Sequence, residues 1–293
     1  MFRPAFRLAA LLLVGCLVLG LGACRRAAVA PGDPVAAVQG LAEAVRDNDL
    51  VRYSQLSLPP ALHRRLEERW KANLAVAPAP TEQQRKEYTR WMQRFTEAEA
   101  EAKLYRALDP KLKKIEAEIG TQWPLMQTTA GLFIKGTIEA NDRLSDSEKA
   151  HARALGDVFM AWLKPELLTD RALARRAIAV MAITARDLQL PTLEDSRRLE
   201  MLPAMEKAGL ALKGLKEIGR IYGVDADAAL AGVQARVTDV DGDIATMAVS
   251  YPLLGRQVEF ELELLRRDGR WYRADAVRQA EAELAQPLSQ AGP

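Results

Sequence analysis

Apolar and polar positions repeat along most of this chain with the period of an amphipathic helix, and near its end they switch to strict alternation. Val35, Val38, Leu41, Ala42 and Val45 fall on one face of a helix that starts at Asp33-Pro34, an N-cap acid followed by proline in the first helical position. A second helix is predicted over 60–74. "VAPAP" (76–80) breaks the pattern, and Thr81 with Gln84 three residues on reads as a capping box. From there Tyr88, Trp91, Phe95, Ala98, Ala102, Tyr105 and Leu108 form one stripe, which predicts a long helix ended by Asp109-Pro110. "WPLMQTTAGLFIKGTIEAN" (123–141) reads as a buried helix. Ser145 and Glu148 make a second capping box for a helix to about Lys164. Thr169 or Asp170 opens another, whose apolar centre, 177–185, predicts the middle of a bundle. Met201, Met205, Ala208, Leu212, Leu215 and Tyr222 stripe a helix ending at Gly223, and Asp225 caps a final short one.

After residue 230 the period becomes two. Ala245, Met247, Val249 and Tyr251 alternate with Thr246, Ala248 and Ser250. Val258, Phe260, Leu262 and Leu264 alternate with Glu259, Glu261 and Glu263. Asp241-Gly242, Leu254-Gly255 and Asp268-Gly269 are turn dipeptides. They predict four antiparallel strands over about 233–240, 243–251, 257–266 and 270–276, with the glutamate face of the third in water. The fold expectation is therefore α+β: a mostly helical body (34–230) with a C-terminal four-stranded antiparallel β-meander (231–280), then a disordered tail (281–293).

The front of the chain obeys neither period. Arg3 and Arg7 precede an apolar run from Leu8 to Leu21, shorter than the roughly 20 residues a helix needs to cross a bilayer. Positive, apolar, then small residues is the order of a secretory signal. Leu21-Gly22-Ala23-Cys24 resembles the lipobox of bacterial lipoproteins. The resemblance implies cleavage between Ala23 and Cys24, a diacylglycerol thioether on the Cys24 sulfur, and acylation of the new amine. Leu13-Val14-Gly15-Cys16 also fits the pattern, but cutting there would leave Leu17–Leu21 trailing behind the lipid, whereas Cys24 is followed by Arg25 and Arg26. Residues 1–23 are thus expected to be the signal peptide and 24–33 a lipidated cysteine with a flexible tether. In enteric lipoproteins an aspartate after the cysteine favours the inner membrane. Arg25 stands there instead, so the expectation is an outer-membrane anchor facing the periplasm, with the membrane itself as one partner.

Composition narrows the rest. The chain holds 41 Lys+Arg against 39 Asp+Glu, and losing the signal removes Arg3 and Arg7 and no acid, so the mature protein is formally neutral. It lacks the positive excess that nucleic-acid binding uses. With Cys24 acylated and Cys16 discarded, no thiol remains and no disulfide is available in an oxidising compartment.

The first helix and the terminal meander with its Asp268-Gly269-Arg270-Trp271 tail also resemble the ends of NTF2-like secreted domains. That resemblance covers only the two ends. It implies a curved sheet with a pocket, for which Tyr251, Phe260 and Trp271 are the candidate lining residues, and no catalytic set that carries over.

No motif argues for chemistry. "DVDGD" (239–243) has alternate acids, but its glycine is fourth rather than sixth, so a hairpin turn is the simpler reading than a calcium loop. In "GLFIKGT" (131–137) the lysine precedes the second glycine, contrary to a phosphate loop. His63 and His151 read as solvated helix positions beside Arg64, Arg65, Lys149 and Arg153. No catalytic residue, metal ligand or cofactor is implied. A serine working with a lysine, or a pair of carboxylates, stays open. Three functions follow from this reading: a non-enzymatic lipoprotein that binds or scaffolds another envelope component, a small-molecule carrier or sensor with an NTF2-like pocket, and an enzyme acting on envelope polymers.

Overall fold

The computed structural model describes residues 27–142 and 144–288. The expected signal segment, its expected cleavage site and Cys24 lie outside the described residues, as do residues 289–293. Helices α1 (Pro34–Arg46), α2 (Leu50–Ser57) and α3 (Pro60–Val76) come first. They are followed by α4 (Glu82–Thr96), α5 (Ala100–Glu139), α6 (Asp146–Trp162), α7 (Pro165–Thr169), α8 (Arg171–Leu188), α9 (Leu193–Arg197), α10 (Met201–Ile221) and α11 (Ala226–Ala231). Strands β1 (Gln234–Asp241), β2 (Ile244–Leu253), β3 (Arg256–Arg267) and β4 (Arg270–Arg273) follow, and α12 (Ala274–Ala285) closes the chain. The fold is α+β, with one antiparallel sheet in the order β1-β2-β3-β4.

Local signals in the sequence set the helix starts. Asp33 accepts from the Ala36 N–H, Thr81/Gln84 and Ser145/Glu148 form reciprocal capping boxes, and Asp170 and Asp225 cap α8 and α11. In the sheet, Leu253 pairs with Arg256 and Arg267 with Arg270, so Leu254-Gly255 and Asp268-Gly269 are two-residue turns. All four of these turn residues have positive φ, as such hairpins require. Asp241 pairs with Ile244 across Gly242 and Asp243, and Asp243 accepts from Arg266 Nε at 3.0 Å, so "DVDGD" is a hairpin tip. The even positions of β3 from Val258 to Leu264 face the interior and its glutamates face water.

Several expectations are corrected. The long stripe from Thr81 does not form one helix: it breaks at Glu97–Glu99, where Glu99 adopts a left-handed conformation. α5 then runs through Pro110 and Pro124 instead of stopping at Asp109. Each proline forfeits a helix hydrogen bond at a cost of ~3 kcal/mol, and the packing of α5 on α4, α6, α7 and α8 offsets it. The segment read as a buried helix, 123–141, is exposed on one side, with Leu125 71% and Phe133 74% accessible. After Arg273 the chain turns into α12, whose Val277, Ala280 and Leu284 pack on Leu58, Leu62 and Tyr272, so neither a strand to 276 nor a tail from 281 is observed.

The expected flexible tether is also corrected from Ala28 onward. The Ala28 N–H donates to Gln55 Oε1 at 2.9 Å, Ala30 is fully buried, and the Pro31 carbonyl accepts from the Trp271 N–H at 3.1 Å. These residues form a strap along β4 and cover that edge of the sheet. α8 is contacted by α4, α5 and α10, and buries Ala174, Ala177, Ile178, Ala182 and Ala185. Two glycines of α10 permit close approach: a Cβ on Gly209 would stand 2.2 Å from the Asn48 carbonyl oxygen, and one on Gly214 2.2 Å from Thr184 Oγ1.

Candidate functional site

A cavity of about 770 Å³ lies between the inner face of β2–β3 and helices α1, α6, α10 and α11. Its sheet wall is built by cross-strand pairing: Val249 sits opposite Phe260 and Met247 opposite Leu262, so inward-facing apolar side chains meet in register. Val249, Tyr251, Leu253, Phe260 and Leu262 line the cavity from the sheet. Val38, Leu41 and Val45 line it from α1, Leu155, Phe159 and Trp162 from α6, Leu212 and Ile218 from α10, and Ala229 and Leu230 from α11. Leu215 also lines it yet is 65% exposed, and Phe159 is partly exposed, so an apolar rim marks the mouth.

Of the three expected lining residues, Tyr251 and Phe260 are in the wall. Trp271 is not. It is buried one layer deeper with Ala37, Val38, Ala245, Met247 and Leu264, because β4 pairs only with the far end of β3 and its tryptophan faces α1.

Two polar groups face this apolar space. His151, from α6, stacks on Phe260 with ring centroids 4.0 Å apart and planes 7° from parallel, and its Nε2 lies 2.7 Å from the Tyr251 hydroxyl. Burial disfavours charge on both partners. It pushes His151 below its ordinary value and Tyr251 up to about 12, so near neutral pH the pair is an uncharged hydrogen-bonding unit. The second group joins four elements. Arg273, at the end of β4, donates to the Tyr53 hydroxyl and through Nε to Asp275 Oδ1 at 3.1 Å, and Glu148 Oε1 stands 3.6 Å from its Nη2. Burial works to raise the Asp275 carboxyl, but the charge and hydrogen bonds of Arg273 outweigh it and hold the group below the ordinary carboxylate range. The guanidinium is thus already matched by carboxylates and leaves no free positive charge for an anionic ligand. A second buried cation, Lys216, also lines the cavity and donates to the Val45 and Arg46 carbonyls at 3.1 and 2.7 Å and to Asp227 at 2.5 Å, which closes the C-terminus of α1.

The histidines correct the expectation of solvated helix positions. His151 packs against the sheet. His63 is 4% exposed, with Nε2 3.0 Å from Ser54 Oγ and Nδ1 2.7 Å from Glu67 Oε1. Serine, histidine and acid in that order have the connectivity of a hydrolytic triad. The surroundings do not support one. Ser54 is mid-helix in α2 and 8% exposed, its Oγ also lies 2.8 Å from the Val51 carbonyl, and neither residue lines the cavity. The arrangement satisfies buried polar atoms where α2 meets α3.

Among the described residues no group of three or more His, Cys, Asp or Glu could hold a metal ion, and no helix is long and apolar enough to cross a membrane. No family model, no curated protein and no solved structure matches this chain.

Proposed function

We propose that this chain is a non-enzymatic, lipid-anchored protein of the cell envelope whose folded body binds an uncharged apolar small molecule or lipid chain. The cavity carries this reading. It offers about 770 Å³ behind a solvent-open mouth, and an occupant gains ~25 cal/mol for each Å² of apolar surface taken out of water. Water is a poor filling, since each molecule needs two to four polar partners and the walls are almost wholly apolar. An apolar occupant entering past Phe159 and Leu215 suits these walls, with the His151–Tyr251 pair available to one uncharged polar group. The anchor rests on Leu21-Gly22-Ala23-Cys24, and outer-membrane placement on Arg25 after the cysteine.

The test is titration of the exported full chain carrying Cys24→Ser with a fluorophore-bearing monoacylglycerol. Saturable binding is expected, weakened at least about tenfold by wall-filling Leu230→Trp or Ala42→Phe. Equal binding by the folded variants would sink the cavity reading.

A second reading, docking onto another envelope protein, is favoured by one observation. Leu125, Met126, Leu132 and Phe133 recur on one face of α5 at i, i+1, i+7 and i+8, and all are exposed.

A further inference from the structure

α6 gives the cavity a length. Glu148, His151, Leu155, Phe159 and Trp162 all line it at spacings of three and four residues, so the cavity follows one face of that helix. From His151 to Trp162 the helix rises about 16 Å. The sheet wall has a similar span. His151 stacks on Phe260, which pairs with Val249, while Trp162 packs in one cluster with Leu253. From Val249 to Leu253, β2 rises about 13 Å. One leaflet of a bilayer's hydrocarbon core is about 15 Å thick. The cavity therefore matches the length of a membrane lipid's chain.

Its two ends differ in polarity. Phe159 and Leu215 make an apolar, exposed mouth. At the opposite end Glu148 stands beside Arg273, which donates to Tyr53, and all three line the cavity. A hydrocarbon chain end suits the first and not the second. The two Lys/Arg side chains in the lining are already paired, Arg273 with Asp275 and Glu148, Lys216 with Asp227, so a carboxylate or phosphate head gains no unpaired cation there. The His151–Tyr251 pair keeps a hydrogen-bonding position in either tautomer. Tyr251 donates to a bare Nε2 and its oxygen accepts from a ligand hydroxyl, or Nε2–H donates to Tyr251 and the tyrosine hydroxyl donates to a ligand carbonyl.

We propose that the cavity takes a neutral lipid of about one leaflet's length, head first, with its hydroxyl or carbonyl on the His151–Tyr251 pair and its far end between Phe159 and Trp162. This rests on the cavity-binding reading above and adds an orientation and a length limit to it.

The exported full chain carrying Cys24→Ser is titrated with straight-chain alcohols from decanol to octadecanol, each displacing the fluorophore-bearing monoacylglycerol. Every methylene added inside the cavity is expected to tighten binding about fourfold. The gain is expected to stop by hexadecanol, where the chain reaches the mouth; an unbroken gain to octadecanol overturns the length limit. Orientation is read with tetradecanol brominated at one end or the other, because bromine quenches tryptophan at short range. Chain-end bromine is expected to quench several-fold more of the fluorescence that Trp162→Phe removes than bromine beside the hydroxyl does. Equal quenching, or the reverse order, overturns head-first entry. Tyr251→Phe is expected to weaken tetradecanol about fivefold and to leave tetradecane unchanged; equal loss of both shows that the pair does not read the head. Monoacylglycerol that binds without these discriminations leaves the cavity reading standing and removes the inference. A folded chain that binds neither monoacylglycerol nor any alcohol removes both.

Discussion

Gly209→Ala tests whether α10 is seated as closely as the cavity wall requires. A methyl at this position would stand 2.2 Å from the Asn48 carbonyl oxygen, about 1.2 Å short of ordinary contact, and the obstacle is backbone rather than a side chain that can rotate away. Two effects oppose each other. Alanine gains ~1 kcal/mol of helix propensity over glycine. Overpacking a well-fitted contact costs ~1–3 kcal/mol, and a backbone obstacle belongs in the upper part of that range. The net is destabilisation by about 1–2 kcal/mol, which for a body of this size lowers Tm by about 2–8 °C. The control is Gly120→Ala in α5, where nothing lies within 4 Å of the added methyl. There only propensity acts, and Tm should rise by about 1–4 °C. Thermal unfolding followed by circular dichroism reads both. A Gly209→Ala protein as stable as the parent would refute the close seating of α10 on the α1–α2 turn.

Further outcomes follow from the polar groups. Arg273→Met leaves the Asp275 and Glu148 carboxylates facing each other across Tyr53. It should destabilise by on the order of 2–3 kcal/mol, near the low end for breaking a buried pair because the site is partly open; urea unfolding with no shift in midpoint would contradict it. Burial holds His151 below 6.5 when folded, whereas the unfolded chain takes up its proton near 6.5. Stability contributed by the neutral ring is therefore full above about pH 6.5 and is lost as pH falls from there toward the folded pKa. His151→Phe keeps the stack on Phe260 and should flatten that slope; an unchanged slope would mean another group titrates. A fluorophosphonate probe should leave Ser54 unlabelled in the folded chain, and stoichiometric labelling lost in Ser54→Ala would reopen the hydrolase reading.

The parts of the fold legible in the sequence were those fixed by near neighbours. Asp33, Thr81, Ser145, Asp170 and Asp225 cap helices through atoms two or three residues away, and Leu254-Gly255 and Asp268-Gly269 set their hairpins by their own φ angles. Alternation in β2 and β3 likewise put Tyr251 and Phe260 on the inner face. What was missed depends on residues far apart in the chain. Glu148 was readable as a capping partner, but its place beside Arg273 and Tyr53 joins segments more than 90 residues from each other. His151 sits among charged neighbours in sequence and against Phe260 in space, and only the packing of α6 on β3 decides which matters. Pro110 carries a local stop signal that tertiary packing overrides. α12 had a readable signal, Val277, Ala280 and Leu284 at helical spacing, which the preceding strand pattern obscured.

Whether an apolar molecule fills the cavity is tested most directly by native mass spectrometry of the exported full chain carrying Cys24→Ser, purified without detergent. Added mass that disappears on denaturation and belongs to an uncharged, water-insoluble compound is expected. A clean apo mass in every preparation, with no uptake of an added monoacylglycerol, would contradict it.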